Sequence, residues 1–169
     1  MTASGLPEQR RATAAVLTAM GWMQGTFHLP PMQTWFDFLA GGAPVLKLTR
    51  VRLPVNAPLM PFLALRRESL HLLAPTIDEM VELEGAQGRT TPRQVEILLP
   101  GGWLRGRIDV LVNLRVSDYL RQQTALAVVR DGVFSPHGSN DPAHARKLPV
   151  AIVNLSEVVG VAQSGDHVR

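Results

Sequence analysis

The chain has 169 residues, enough for one ordinary domain or two very small ones, and at 46% hydrophobic against 18% charged it holds the material of a core and is not globally disordered. Seventeen Lys and Arg against 14 Asp and Glu leave a net charge of +3, a mildly basic balance that suits an Arg-rich solvated surface or an anionic partner. Cysteine is absent, which excludes disulfides, thiolate nucleophiles and Cys-based zinc sites and fits a reducing compartment. No apolar run reaches the roughly 18 residues of a membrane span, and no secretory h-region follows the basic start from Met1 to Arg11, so a cytoplasmic protein is expected.

Residues 1–11 read as a loose end, and the first structured unit spans 12–75. "AAVLTAM" is an apolar strand that meets a glycine turn and leads into a second strand, "WMQGTFHL". "QTWFDFLAGG" fits one or two helical turns, with Thr34 as N-cap and Asp37 in the first turn. "PVLKLTRV" alternates as a strand, Pro-rich "RLPVNAPLMP" is a loop, and "PFLALRRESLHLLA" holds a closing pair of short strands. Residues 76–92 form an acidic linker. Thr76 and Glu79 stand at capping-box spacing and predict a short helix there, with a strand through "MVELEG" as the alternative. Asp78, Glu79, Glu82 and Glu84 fall in this segment, so the rest of the chain carries +7 (three plus four). From residue 93 the same order returns: "QVEILLP", "WLRGRIDVLVNL", "RVSDYLRQQT" with Ser117 as N-cap, "ALAVVRDG", and a last pair of strands ending at 163. Residues 164–169 are a second loose end.

The return is a repeat. At an offset of 81, Gly21-Trp22 falls on Gly102-Trp103, Gly25 on Gly106, and Asp37-Phe38-Leu39 on Asp118-Tyr119-Leu120, with matching apolar positions between them. "PFLALRRESLHLLA" then lies over "PVAIVNLSEVVGVA" at an offset of 88. The seven extra residues of the second copy belong to "SPHGSNDPAHARK", whose composition is that of a loop.

Each repeated residue type has a structural and a functional role to weigh. Gly25 and Gly106 mark bends inside strands. Trp22 and Trp103 are either base-stacking platforms or covers for one end of a core, the second being the expected role. Asp37 and Asp118 are candidates for a pair of catalytic carboxylates from two pseudo-symmetric halves, but a helix-start Asp with a local capping role explains both more simply. His137, Asp141 and His144 share the long loop without a clear further ligand, so no metal is expected. There is no P-loop, dinucleotide fingerprint, HExxH or GxSxG, and no cofactor is implied. Arginine offers three pairs: Arg50 and Arg52 on one strand face, Arg66 and Arg67 late in copy one, and Arg105 and Arg107 flanking Gly106. Such clusters either bind phosphates or decorate the polar face of half-buried sheets.

"VEILLPGGWLRGRIDVL" in copy two resembles the first half of the Sm1 motif of the Sm-like (LSm and Hfq) class of small, strongly bent barrels: alternating strand, glycine turn, then glycine within the next strand. "LRRESL", Leu65 to Leu70, resembles the late Sm2 motif, with Arg67 where that motif has glycine; copy two has Val153-Asn154-Leu155 there. Of the family's RNA-binding residues, the resemblance carries over Arg66 alone. The pattern around "SDYL" also resembles bacterial domains of unknown function.

The sequence therefore predicts a mainly β protein (all-β or α+β) of two homologous small barrel-like lobes, each roughly β-β-α-β-β-β, arranged as an intramolecular pseudo-dimer. The expected function is that of a non-catalytic cytoplasmic protein-binding or scaffold protein. It would engage a protein partner through exposed sheet edges or the Trp-bearing faces. The alternative is an RNA- or DNA-binding protein using the Arg clusters, and a homo-oligomer is left open by either reading.

Overall fold

The computed structural model describes residues 8–54, 57–76, 89–122 and 125–163. Ten antiparallel strands and two short helices follow one another as β1 (Arg10–Thr18), β2 (Gly21–Leu29), α1 (Trp35–Ala40), β3 (Val45–Arg52), β4 (Met60–Arg66), β5 (Leu72–Pro75), β6 (Thr90–Leu99), β7 (Gly102–Leu111), α2 (Val116–Gln122), β8 (Leu126–Pro136), β9 (Arg146–Asn154) and β10 (Gly160–Gln163). The order β-β-α-β-β-β thus occurs twice. Thr34 caps α1 as expected, its hydroxyl accepting from the Asp37 N–H. Ser117 does not cap α2: the helix begins one residue earlier, at Val116, so Ser117 lies inside its first turn. Two strands also start sooner than the sequence suggested, β1 at Arg10 within the presumed loose end and β6 at Thr90 within the presumed linker. The helix or strand expected after Thr76 lies outside the described residues.

All ten strands join in one open sheet of order β10-β6-β7-β8-β9-β5-β1-β2-β3-β4. Each run of five has the same internal order: fifth strand, first, second, third, fourth. The runs meet where β5 pairs with β9, Leu72 facing Val153 and Leu73 facing Ile152, with the Asn154 N–H donating to the His71 carbonyl at 2.9 Å. Burial explains the strand sequences. β7 faces a core on one side and water on the other, and "GWLRGRIDVL" alternates accordingly. β5 and β9 sit mid-sheet with both faces covered, so "LLA" and "AIV" are continuous apolar runs.

Those two faces feed two cores. The first is built mainly from residues of the first half, among them Phe27, Trp35 and Leu48, and is completed by Leu126, Val128 and Ile152 from the second. The second is built mainly from the second half, among them Val95, Leu104 and Ile108, and takes in Leu17, Leu72 and Ala74 from the first. Neither core closes without strands from the other half. Around Gly25 and Gly106 the strands bend, with the β2–β3 and β7–β8 registers each slipping at those glycines. A Cβ on Gly106 would stand 2.5 Å from Val129 Cγ1 and 3.0 Å from the Arg130 carbonyl, so the close strand crossing requires glycine.

Candidate functional site

Three surfaces collect the side chains singled out by the sequence. The first lies on the outer face of β2 and β3. There Arg50 and Arg52 come together as expected, and Arg11 of β1 joins them around a depression of about 540 Å³ that also holds Thr13, Gln24, Thr26 and Thr49. All three guanidinium groups are exposed, and none has an acidic partner within ion-pair distance among the described residues. Arg50 adopts φ of +53°, a left-handed conformation that costs a non-glycine residue about 1–2 kcal/mol, at the bulge opposite Gly25. Sequence reasoning misses Arg11 because β1 begins at Arg10, ahead of the apolar run that marks the strand.

At the same place in the second half the arginines are matched by carboxylates. Asp131, 81 positions after Arg50, has φ of +50°, and it forms an ion pair with Arg107. Arg105 pairs with Glu96 at 2.9 Å, and Arg130 lies 3.7 Å from Asp109. Arg105 and Arg107 share a face, as the spacing required, but each is engaged by its own carboxylate. Arg66 and Arg67 diverge. Arg66 pairs with Glu68, whereas Arg67 turns back to donate to the Leu39 carbonyl at the end of α1, a structural tie between helix and sheet.

The second surface is a groove of about 580 Å³ between the outer face of β7 and the long loop after β8, lined by Trp103, Arg105, His137 and Asp141 among others. The two tryptophans have different fates. Trp22 is half-buried at the seam, its ring edge-on to Phe134 at 5.4 Å and covered by the Arg146 guanidinium 4.3 Å from its centroid. Burial there holds the Arg146 guanidinium below its ordinary pKa, and the aromatic face offsets part of that cost. Trp103 keeps 44% of its surface exposed, and its ring stands nearly perpendicular to that of His137, with centroids 6.3 Å apart. In the loop, His137 bonds the Leu99 carbonyl, His144 bonds Ser139 and Asp141 caps Ala143. The three side chains thus point to separate partners. Asp37 accepts from Thr34 at 2.8 Å, and Asp118 lies 3.7 Å from Arg121 on its own helix, so both carboxylates serve local helix contacts.

The third surface consists of the two ends of the sheet. Among the described residues, β4 and β10 each have one strand neighbour, which leaves the backbone groups on the outer side of each without a strand partner there. Beside β4 stand Val45, Leu59 and Phe62, and next to β10 stands Val159, all exposed apolar side chains. No described helix is long and apolar enough to cross a membrane. No family model matches the chain, and neither the curated proteins nor the solved structures compared with it contain a match.

Proposed function

We propose that the chain is a tandem duplication of one small β domain, the two copies forming a pseudo-dimer that works as a non-catalytic, cytoplasmic protein-binding scaffold. One observation carries this reading: both ends of a long sheet are open strands flanked by exposed large apolar residues, with Phe62 at 52% and Val159 at 67% exposure. Such edges bind by adding a strand, with backbone hydrogen bonds giving affinity and neighbouring side chains giving selectivity. The duplication is supported by the shared strand order, by the matched bulges at Gly25 and Gly106, and by left-handed residues at Arg50 and Asp131. The likeness to the Sm-like class stands on the sequence motifs. The test is affinity purification from the native cells after nuclease treatment, with wild type beside Phe62→Asp. Co-purifying protein that survives nuclease and is lost from the variant supports edge docking; capture unaffected by the variant overturns it.

A second reading rests on a separate observation, the three arginines without acidic partners around the depression on β2 and β3. Strain at Arg50 is the kind of local cost that persists at functional sites. A nucleic-acid surface there predicts micromolar or tighter binding of labelled single-stranded RNA or DNA that weakens steeply with salt, and loss on changing Arg50 and Arg52 to Glu. Absence of binding at low salt would remove this alternative.

A further inference from the structure

We infer that the partner at these edges is a second copy of the same chain, docked so that β10 of one molecule pairs with β4 of the next in the register that β5 and β9 already use within the chain. The inference rests on the edge-docking reading above and on the repeat, and it is carried by what the internal seam covers and the outer ends leave open.

Within the chain, the fifth strand of the first half pairs with the fourth strand of the second. The positions corresponding to that junction are the fifth strand of the second half, β10, and the fourth strand of the first, β4. Among the described residues, those are the two edges without a second strand neighbour. Transferring the register by the offset of 88 places Gly160 opposite Leu65 and Val161 opposite Ala64. The Asn154-to-His71 hydrogen bond becomes one from the Arg66 N–H to the Val159 carbonyl. The needed donors are available. Arg67 donates its N–H to Pro44 beside β3, so by strand alternation the N–H groups of Ala64 and Arg66 point outward. Pro61, which could not donate, lies outside the paired residues, as Pro149 does in β9.

The side chains agree. At the internal seam, Leu126, Val128 and Ile152 complete the first core. At the corresponding places in the first half stand Val45, Lys47 and Ala64, all exposed. The second core has a matching gap. Trp35, Leu39, Leu70 and Leu73 are buried in the first half, whereas three of their four counterparts, Leu120, Val158 and Val161, are only partly buried. These line a cleft of about 610 Å³ beside β10. Val45 and Phe62 of an incoming molecule have the position and chemistry to fill it. In return Trp103 would gain the cover that Trp22 already has, against Leu53, which occupies the place of Phe134 and is half-buried. Lys47 stands where the other half has Val128; its stem can cover the cleft while its ammonium stays at the rim.

Because the two edges differ, the contact is heterologous and repeats, giving a closed ring or an open filament. Light scattering and sedimentation of the wild type across micromolar concentrations should show species at multiples of 18.5 kDa. Ala64→Pro, which removes an outward donor from an edge strand and leaves the β3 ladder intact, should return them to monomer with its circular dichroism unchanged. Lys47→Val should shift assembly to lower concentration. The chain has no cysteine, so mixing Ala64→Cys molecules with Val161→Cys molecules reports the contact directly, and an intermolecular disulfide between the two variants is expected. A wild type that stays monomeric throughout overturns the inference, as does assembly that neither yields this cross-link nor responds to Ala64→Pro. A monomer that still captures a different protein in a Phe62-dependent manner overturns self-pairing while the edge-docking reading stands. A monomer without such capture overturns both.

Discussion

Replacing Gly106 with Ala probes the steric demand of the bend where β7 crosses β8. The new Cβ would meet Val129 Cγ1 at 2.5 Å, the Arg130 carbonyl at 3.0 Å and the Gly132 Cα at 3.2 Å. Two of those three atoms are backbone, so β8 itself must move away from β7. Overpacking of this kind costs about 1–3 kcal/mol, and the backbone contacts place Gly106→Ala at the upper end. For a chain of this size that corresponds to a fall in Tm of roughly 6–12 °C. Gly25→Ala is the internal control. Its Cβ would meet only side-chain atoms, Leu48 Cδ2 at 3.0 Å and Val51 Cγ2 at 3.2 Å, which can yield by a few tenths of an ångström. Thermal and urea denaturation of both variants should therefore rank Gly106→Ala well below Gly25→Ala. Equal losses, or a Gly106→Ala variant as stable as wild type, would refute the steric account of the bend.

Ile152→Ala removes a fully buried side chain that β9 lends to the core of the other half, and should cost about 2–5 kcal/mol. Since each core is closed by strands from the other half, unfolding of this variant followed by Trp fluorescence and by far-ultraviolet circular dichroism should give coincident transitions; two separated steps would show that the halves fold independently. Arg50→Gly relieves a left-handed φ at an exposed site and should raise stability by about 1 kcal/mol in the same denaturation assay. A loss of stability would mean that the Arg50 side chain makes a contact worth more than the strain.

Much of this architecture is legible in the sequence because it depends on local period and on self-similarity. Alternation marks β7 as a half-buried strand, Thr34 as N-cap marks the start of α1, and at an offset of 81 Gly21-Trp22 falls on Gly102-Trp103 and Gly25 on Gly106. The polar face of β7 is equally legible, since period two puts Arg105 and Arg107 on one side of the strand. What period cannot tell is which neighbours lie across from a side chain. Arg107 and Asp131 are 24 residues apart, and only the β7–β8 register joins them. Trp22 and Trp103 are the same residue in sequence terms, yet one is covered by Phe134 and Arg146 at the seam and the other faces water. Arg11 acquires partners for a site only when β1 is seen to run beside β2 and bring it near Arg50. The residues by themselves determined two similar sets of strands with a glycine bend in each. That these sets share one open sheet, that each core borrows from the other half, and that β4 and β10 are left as its ends were decided by tertiary structure. Strand pairing is long-range, set by which apolar faces can be buried together, and no local pattern encodes it.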